Sequence, residues 1–156
     1  MKKLCFITIL LLIVVLITGC DENKSKGHKY CTRSGSVENG DVSLNYNIYY
    51  TGDTLNKIES NEKVTSEDSS VLDTYENAYK GIHVNYKGLD HYNTSVIRTD
   101  DSVTSIIVID YDKVDIDRLI ELEGEDDNIF ENKIPKVSKW LELGKKVGIK
   151  CEEVEE

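Results

Sequence analysis

The chain has 156 residues, 31% of them charged, and its 29 acidic residues outnumber its 19 lysines and arginines. This length is enough for one domain with a hydrophobic core and too short for two ordinary domains. The formal net charge of −10 opposes binding to nucleic acids and to anionic lipid headgroups, because both need lysine and arginine side chains on the protein. We therefore expect one acidic domain that binds no nucleic acid.

Residues 1–19 have the pattern of a bacterial lipoprotein signal peptide. Two lysines precede an apolar run over residues 4–17, which is too short for a typical transmembrane helix and has the length of a signal-peptide h-region. A threonine and a glycine then precede Cys20, whose thiol is the nucleophile that accepts a lipid. We expect Cys20 to be the acylated N-terminus, anchored by chains such as palmitate at the extracytoplasmic face of the cell membrane. Without the two lysines, the remaining 137 residues carry a net charge of about −12, so attachment rests on the acyl chains.

Two cysteines remain once Cys5 is removed with the signal and Cys20 is acylated. In an oxidising compartment, the leftover pair, Cys31 and Cys151, most often forms a disulfide. Two free thiols are the alternative, in a cell without efficient oxidative folding. A structural zinc site needs four ligands, and the pair has only the chain's three histidines to complete it. We therefore expect no metal site and no cofactor.

The first half of the chain after Cys20 predicts a tether and an antiparallel meander. Residues 20–29 are polar without apolar periodicity and predict a flexible tether, so that the folded domain covers residues 30–156. A first strand is expected over residues 30–34. Apolar and polar residues alternate over 42–51, and a glycine-aspartate turn then leads into a more charged partner strand over 55–64.

The middle of the chain predicts a helix followed by three extended segments. Over residues 65–68, a hydroxyl cap followed by acidic residues predicts the start of a helix. An apolar stripe at three- and four-residue spacings follows, and Gly81 is placed to end the helix. Residues 82–87 and 92–99 are expected to be extended. Residues 103–111 are the most apolar strand of the domain, which predicts burial on both faces and a central place in the sheet.

The C-terminal part is expected to be helical with loops. Asp115 can cap a short helix, the acidic stretch after it predicts a solvated loop, and Pro135 suits the first position of another helix. Residues 149–151 can extend alongside the first strand, which would bring Cys151 to Cys31.

Several of these segments resemble the YehR-like family of small bacterial lipoproteins, a domain of unknown function. The resemblance covers nearly the whole mature chain, and its motifs are the lipobox, Tyr30-Cys31-Thr32, the alternating Asn45–Tyr50 strand, Tyr79-Lys80-Gly81-Ile82, Val108–Asp115 and Gly148-Ile149-Lys150-Cys151. It implies an exported, acylated, single-domain α+β protein with an antiparallel β-sheet and two or three packed helices. It implies no catalytic residue.

No motif in the chain specifies a reaction. Asp110, Asp112 and Glu121 have the spacing of EF-hand ligands, but Val114 and Asp115 replace the ligand and the glycine that the loop needs, so we expect no high-affinity Ca²⁺ site. Any two carboxylates could form the acid and base of a glycosidase, but that site requires a set distance between the two carboxyl groups, which the sequence does not show. His83 and His91 could meet across a hairpin, although a surface position is the ordinary one.

Tyrosine is the unusual surplus, with all nine located after residue 20. Tyr46 and Tyr50 are expected on the core face of their strand and Tyr49 on the other face. Such rings suit a wet groove that stacks on sugars or peptides, and equally the edges of a small core.

Three classes of function remain. We expect a non-enzymatic, membrane-anchored protein that binds a small ligand or an envelope component, which requires a pocket with convergent polar groups. The alternative is a structural or interaction protein of the cell envelope, which requires an exposed apolar patch. An enzyme ranks third, because no nucleophile and base can be paired from the sequence.

Overall fold

The alternating segments form an antiparallel sheet in the computed structural model, which describes residues 25–124 and 128–155. Six strands pair in the order β4-β5-β3-β2-β1-β8, and β6 and β7 form a separate two-stranded ribbon. The strands are β1 (Lys26–Val37), β2 (Gly40–Thr51), β3 (Thr54–Thr65), β4 (Tyr92–Arg98), β5 (Ser102–Asp110), β6 (Phe130–Glu131), β7 (Ile134–Pro135) and β8 (Lys150–Glu153). The three helices are α1 (Ser69–Val84), α2 (Ile116–Glu123) and α3 (Val137–Lys146). The molecule is therefore a single α+β domain, as the sequence predicts.

All three helices pack on one face of the sheet, which we call the core face. α1 covers one part of this face, where Leu72 and Tyr79 contact Val64 and Val103 in one hydrophobic cluster. α2 and α3 cover the rest, where the second cluster includes Leu119 and Val137 with strand residues such as Cys31, Ile48, Ile58 and Ile109. In the cross-strand registers, every strand residue of the six-stranded sheet that belongs to either cluster lies on this same face.

Aspartates cap α1 and α2. The Asp115 cap confirms the prediction, whereas the hydroxyl cap predicted before α1 is wrong, because Asp68 takes that position. Asp68 caps α1, where its carboxylate accepts the backbone N–H of Ser70 at 2.9 Å. Asp115 caps α2 and accepts the backbone N–H of Arg118 at 3.0 Å. Each carboxylate satisfies a free N–H group of the first helical turn.

The disulfide joins the two ends of the domain. β8 pairs only with β1 in the sheet, in the register that sets Cys151 opposite Cys31, and the two sulfur atoms are bonded. Cys31 is fully buried, and the bridge closes a loop with a sequence separation of 120 residues. A loop of this size restricts the unfolded chain by about 4 to 5 kcal/mol in the chain-entropy model.

Two polar contacts are built into the packing of α1. The Tyr79 hydroxyl donates to Glu62 Oε1 at 2.8 Å, and burial together with this bond raises the pKa of Tyr79. His83 Nε2 lies 2.9 Å from Ser105 Oγ, and burial lowers the pKa of His83. These bonds satisfy polar groups that the helix presses against the sheet.

β5 is not the central, doubly buried strand that its apolar sequence predicts. It lies second from the edge, between β4 and β3. Ile107 and Ile109 pack in the core, whereas Ile106 and Val108 point away from the helices and are partly exposed. The run of four apolar residues therefore combines a core stripe with an apolar stripe on the other face.

Three element boundaries also differ from the prediction. β1 begins at Lys26, inside the segment expected to be a tether, because its polar residues pair with β2. α1 continues to Val84 through Gly81, so the strand expected over residues 82–87 is helix and turn. Pro135 lies opposite Phe130 in the β6–β7 ribbon, and α3 begins two residues later.

Candidate functional site

The face of the sheet opposite the helices, which we call the open face, carries the best candidate for a functional surface. Its side chains are amides, hydroxyls, aromatic rings and charged groups, with a short apolar stripe on β4 and β5. In β1 to β5 they are Lys26, His28, Tyr30, Thr32, Ser34, Ser36, Asp41, Ser43, Asn45, Asn47, Tyr49, Thr51, Thr54, Lys57, Glu59, Asn61, Lys63, Thr65, Asn93, Ser95, Ile97, Ser102, Thr104, Ile106, Val108 and Asp110.

One register row at the end of the open face brings an imidazole, a phenol ring and an ammonium group together. His28, Tyr49 and Lys57 are direct partners across β1, β2 and β3. The rings of His28 and Tyr49 are stacked, with centroids 4.4 Å apart and planes 12° from parallel. Lys57 Nζ lies 5.7 Å from the Tyr49 ring centroid, a cation–π distance. The Tyr49 ring is thus fixed by a cross-strand neighbour on either strand.

Hydrogen bonds hold this row and its neighbours in place. His28 Nε2 donates to Asn47 Oδ1 at 3.1 Å, which requires the proton on Nε2. The Tyr30 hydroxyl donates to Asn45 Oδ1 at 3.1 Å. Each asparagine keeps its amide NH₂ group available to donate on the same face. The open face therefore offers aromatic carbon next to oriented donors and acceptors.

A cleft of about 250 Å³ opens beside the His28–Tyr49 stack, and we call it the His28 cleft. Its lining combines one ammonium and one carboxylate group with aromatic, amide and hydroxyl groups. The lining residues are Lys26, Gly27, His28, Tyr49, Tyr50, Thr51, Asn56 and Asp112. With His28 neutral, the formal charges of Lys26 and Asp112 cancel.

A β-bulge supplies the amide group of the cleft. The register between β2 and β3 shifts at Tyr49 and Tyr50, so that Asn56 is the extra residue of β3. Its side chain accepts from Thr51 Oγ1 at 2.8 Å and donates to Asp112 Oδ1 at 2.9 Å. Bulges commonly re-aim side chains next to functional sites. Here the bulge links the β2–β3 turn to the turn that follows β5.

Gly27 allows the Tyr50 ring to cross β1 on the core face, at the edge of the cleft. A Cβ atom at Gly27 would lie 2.2 Å from Cζ of Tyr50, its partner across the strands. The Tyr50 hydroxyl donates to both carboxylate oxygens of Glu153 at 2.9 Å, and Lys29 is ion-paired with the same carboxylate. The bonds from Lys29 and Tyr50 lower the pKa of Glu153. Only a glycine lets the Tyr50 ring lie against β1 while it reaches β8.

Ion pairs neutralise the charged groups that flank the cleft. Lys57 Nζ lies 2.5 Å from Glu59 Oε1, and this bond raises the pKa of Lys57. Lys113 Nζ lies 2.8 Å from Asp110 Oδ2 and lowers the pKa of that carboxyl. Positive and negative side chains therefore balance each other around the cleft, although the molecule as a whole is acidic.

The predicted EF-hand-like carboxylates are divided among different partners. Asp110 contacts Lys113, Asp112 accepts from Asn56, and Asp115 caps α2. Asp117 and Glu121 pair with Lys133 and Arg118. Within residues 25–124 and 128–155, no group of three or more His, Cys, Asp or Glu side chains is arranged to hold a metal ion. Part of the acidic stretch over residues 121–128, namely 125–127, lies outside the described residues.

The remaining sequence-predicted sites are placed as follows. Cys31 and Cys151 form the disulfide. His83 lies in α1 and His91 in the turn before β4, where it has a positive φ of 65°, so the two do not meet as a hairpin pair. Cys20 and the apolar segment 4–17 lie outside the described residues. No helix among the described residues is long and apolar enough to cross a membrane.

The sequence reasoning placed Tyr49 on the correct face but missed its partners. The predicted tether includes His28, and the predicted strand over residues 55–64 gives no sign of a bulge at Asn56. The available signal for His28 was that His28 and Tyr30 alternate with Lys29 and Cys31, which continues the period of a strand.

Comparisons with known proteins show the fold and nothing more specific. No family model and no curated protein matches the chain. The fold is similar to the NMR structure of the E. coli YehR protein, with a TM-score of 0.58, 19% identity, and coverage of 85% of this chain and 95% of that one. It is also similar to the NMR structure of a protein from Streptococcus pneumoniae TIGR4, with a TM-score of 0.51, 12% identity, and coverage of 87% and 90%. These neighbours support the YehR-like fold that the sequence predicts.

The contact between Gly27 and Tyr50 generates a stability prediction. Gly27→Ala should lower the free energy of unfolding by about 1–2 kcal/mol, because the Tyr50 ring must leave β1 and its bond to Glu153. Gly35→Ala is the matched control in the same strand, since its Cβ would lie 3.7 Å from Val42, an ordinary contact. This control should change the free energy by less than about 0.5 kcal/mol. Urea unfolding of both variants measures the difference, and equal effects would contradict the assigned role of Gly27.

Proposed function

We propose that the chain is a lipid-anchored, extracytoplasmic binding protein whose open face takes a neutral carbohydrate of the cell envelope. The observation that carries this proposal is the one-sided packing of the sheet. The helices bury the core face, and the opposite face presents aromatic rings, amides and hydroxyls around the His28 cleft.

The chemistry of the cleft matches a sugar ring. Sugars present C–H groups that pack on aromatic carbon and hydroxyl groups that both donate and accept hydrogen bonds. Tyr49 supplies a ring on the open face, while Thr51, Asn56 and Asp112 supply donors and acceptors. A volume of about 250 Å³ lies just below the range of about 300–1,000 Å³ for drug-sized ligands. The cleft therefore suits a single ring, with further units lying along the Asn45 and Asn47 rows.

Charge favours a neutral ligand over a polyanion. The two formal charges in the cleft cancel, and the mature chain as a whole carries about −12. An acidic surface repels nucleic acids and other polyanions. It leaves recognition to hydrogen bonds and ring contacts, which a neutral saccharide provides.

A second candidate function, an interaction protein of the envelope, is favoured by a small apolar patch. Ile106 and Val108 of β5 lie on the open face next to Ile97 of the edge strand β4, and Ile97 is 51% exposed. Exposed apolar patches commonly mark protein contacts. The patch is a few side chains wide, so we rank it below the cleft.

We propose no enzymatic activity. The nearest arrangement to a nucleophile and base is Ser105 with His83, at 2.9 Å. Ser105 is only 5% exposed and lies on the core face beneath α1, where a substrate has no access. The pair is better explained as packing of the helix against β5.

The proposed anchor depends on Cys20. Cys20→Ser should abolish incorporation of radiolabelled palmitate, because the thiol is the acceptor of the lipid, and should leave an unprocessed precursor or a released protein. Cys5→Ser is the matched control, since Cys5 lies in the signal peptide and should leave labelling unchanged. Equal labelling of the wild type and Cys20→Ser would refute the anchor.

Carbohydrate binding is testable with the soluble fragment 21–156, which keeps Lys26 and Gly27 in place. Isothermal titration against a panel of neutral mono- and disaccharides should detect at least one ligand. Tyr49→Ala should lower the affinity for that ligand about tenfold, which corresponds to about 1.4 kcal/mol of binding free energy, because the ring contact is lost. Thr74→Ala, on the exposed side of α1, should leave the affinity unchanged. The proposal fails if no saccharide binds at millimolar concentration, or if Tyr49→Ala binds as tightly as the wild type.

A further inference from the structure

We propose that the His28 cleft takes its ligand from the membrane itself, as the neutral, sugar-bearing headgroup of a glycosyl diacylglycerol in the leaflet that holds the anchor. This inference rests on the proposed function, both on acylation of Cys20 and on saccharide binding in the cleft. It adds the source and the chemical class of the ligand.

The position of Ser25 ties the cleft to the anchor. The backbone N–H of Gly52, in the β2–β3 turn, donates to the Ser25 carbonyl at 2.9 Å. The next three residues, Lys26, Gly27 and His28, line the cleft. The chain therefore enters the folded domain at the rim of the cleft.

The remaining tether is short. Five residue steps separate Cys20 from Ser25, and a fully extended chain of that length reaches at most about 18 Å. The rim of the cleft is thus held within a few headgroup layers of the membrane surface, since each headgroup layer is about 5–8 Å thick.

Two other segments lie at the same end of the sheet as the cleft. The backbone N–H of Val154, just after β8, donates to the His28 carbonyl at 2.9 Å, so the C-terminal strand ends beside the cleft. Asp112, in the turn after β5, lies at the same end through its bond with Asn56.

A larger cleft lies at the opposite end of the sheet. It measures about 660 Å³ and is lined by residues around the β1–β2 hairpin, including Asn39, Asp68 and Asp101. The twelve residues of β1 separate it from the tether, a length of about 36 Å along the strand. The tether holds the His28 cleft near the headgroups in every orientation of the domain, whereas the larger cleft comes near them only when the strands lie along the membrane.

Charge selects the headgroup. Anionic phospholipid headgroups are bound by clusters of lysine and arginine, and the cleft has only Lys26, which is balanced by Asp112. The acidic domain as a whole is repelled by anionic lipid. A sugar headgroup without charge avoids this repulsion and offers hydroxyl groups to Thr51 and Asn56.

The test uses the full-length, acylated protein in phosphatidylcholine vesicles that contain a low mole fraction of monoglucosyl diacylglycerol with a photoreactive diazirine on the sugar. After illumination, mass spectrometry should locate adducts in residues 26–28 and 49–56. Tyr49→Ala should reduce the adduct yield about tenfold, and Thr74→Ala, on the exposed side of α1, should leave it unchanged. Unlabelled phosphatidylglycerol added to the vesicles should not compete.

A tether variant separates this inference from the proposed function. A 20-residue Gly/Ser insertion between Asn23 and Lys24 lengthens the tether from five steps to 25, which lowers the effective concentration of the headgroup at the cleft about tenfold. The adduct yield should fall by this factor, while calorimetric affinity for soluble methyl glucoside should not change. If soluble sugar binds but the insertion leaves the yield unchanged, or if adducts lie elsewhere, the membrane source is refuted and the proposed function stands. If neither the soluble sugar nor the glycolipid binds, both are refuted.

Discussion

The one-sided burial of the six-stranded sheet is the constraint on which the rest of the structure depends. Successive residues of a strand point to opposite faces, so the cross-strand registers sort the whole sheet into two surfaces. Helices α1, α2 and α3 take up the apolar surface. Because the other surface is not needed for the core, its amides and rings, such as Asn47 and Tyr49, are free to serve a ligand.

At the end of the sheet that carries the His28 cleft, long-range contacts join several segments. The disulfide fixes β8 beside β1, and Glu153 of β8 then accepts bonds from Lys29 and Tyr50. The bulge at Asn56 adds a bridge to Asp112. These contacts join four segments that are far apart in sequence, which gives the His28 cleft a preformed shape without a covering helix.

The sequence is informative where a pattern is local and uninformative where pairing is long-range. Alternation over residues 42–51 was sufficient to place Tyr46 and Tyr49 on opposite faces, and they are found against Trp140 and His28 respectively. The bulge could not be predicted, because no glycine marks it and its extra residue only interrupts the period of two. His28 was missed because a polar segment becomes a strand here through pairing with β2 and β8, which composition does not report. The prediction that β5 is buried on both faces was wrong, because a strand with one core stripe and one exposed apolar stripe has the same composition as a fully buried strand.

The central claim is that the open face, at the His28 cleft, is the ligand-binding surface. Its most direct test is an NMR titration of the ¹⁵N-labelled fragment 21–156 with a neutral disaccharide, in which each backbone amide reports on its own surroundings. The account predicts that the largest shift changes fall in residues 26–28 and 47–57, with the amides of α1 and α3 unchanged. Changes centred on the helices, or on the β1–β2 hairpin at the opposite end of the sheet, would contradict it.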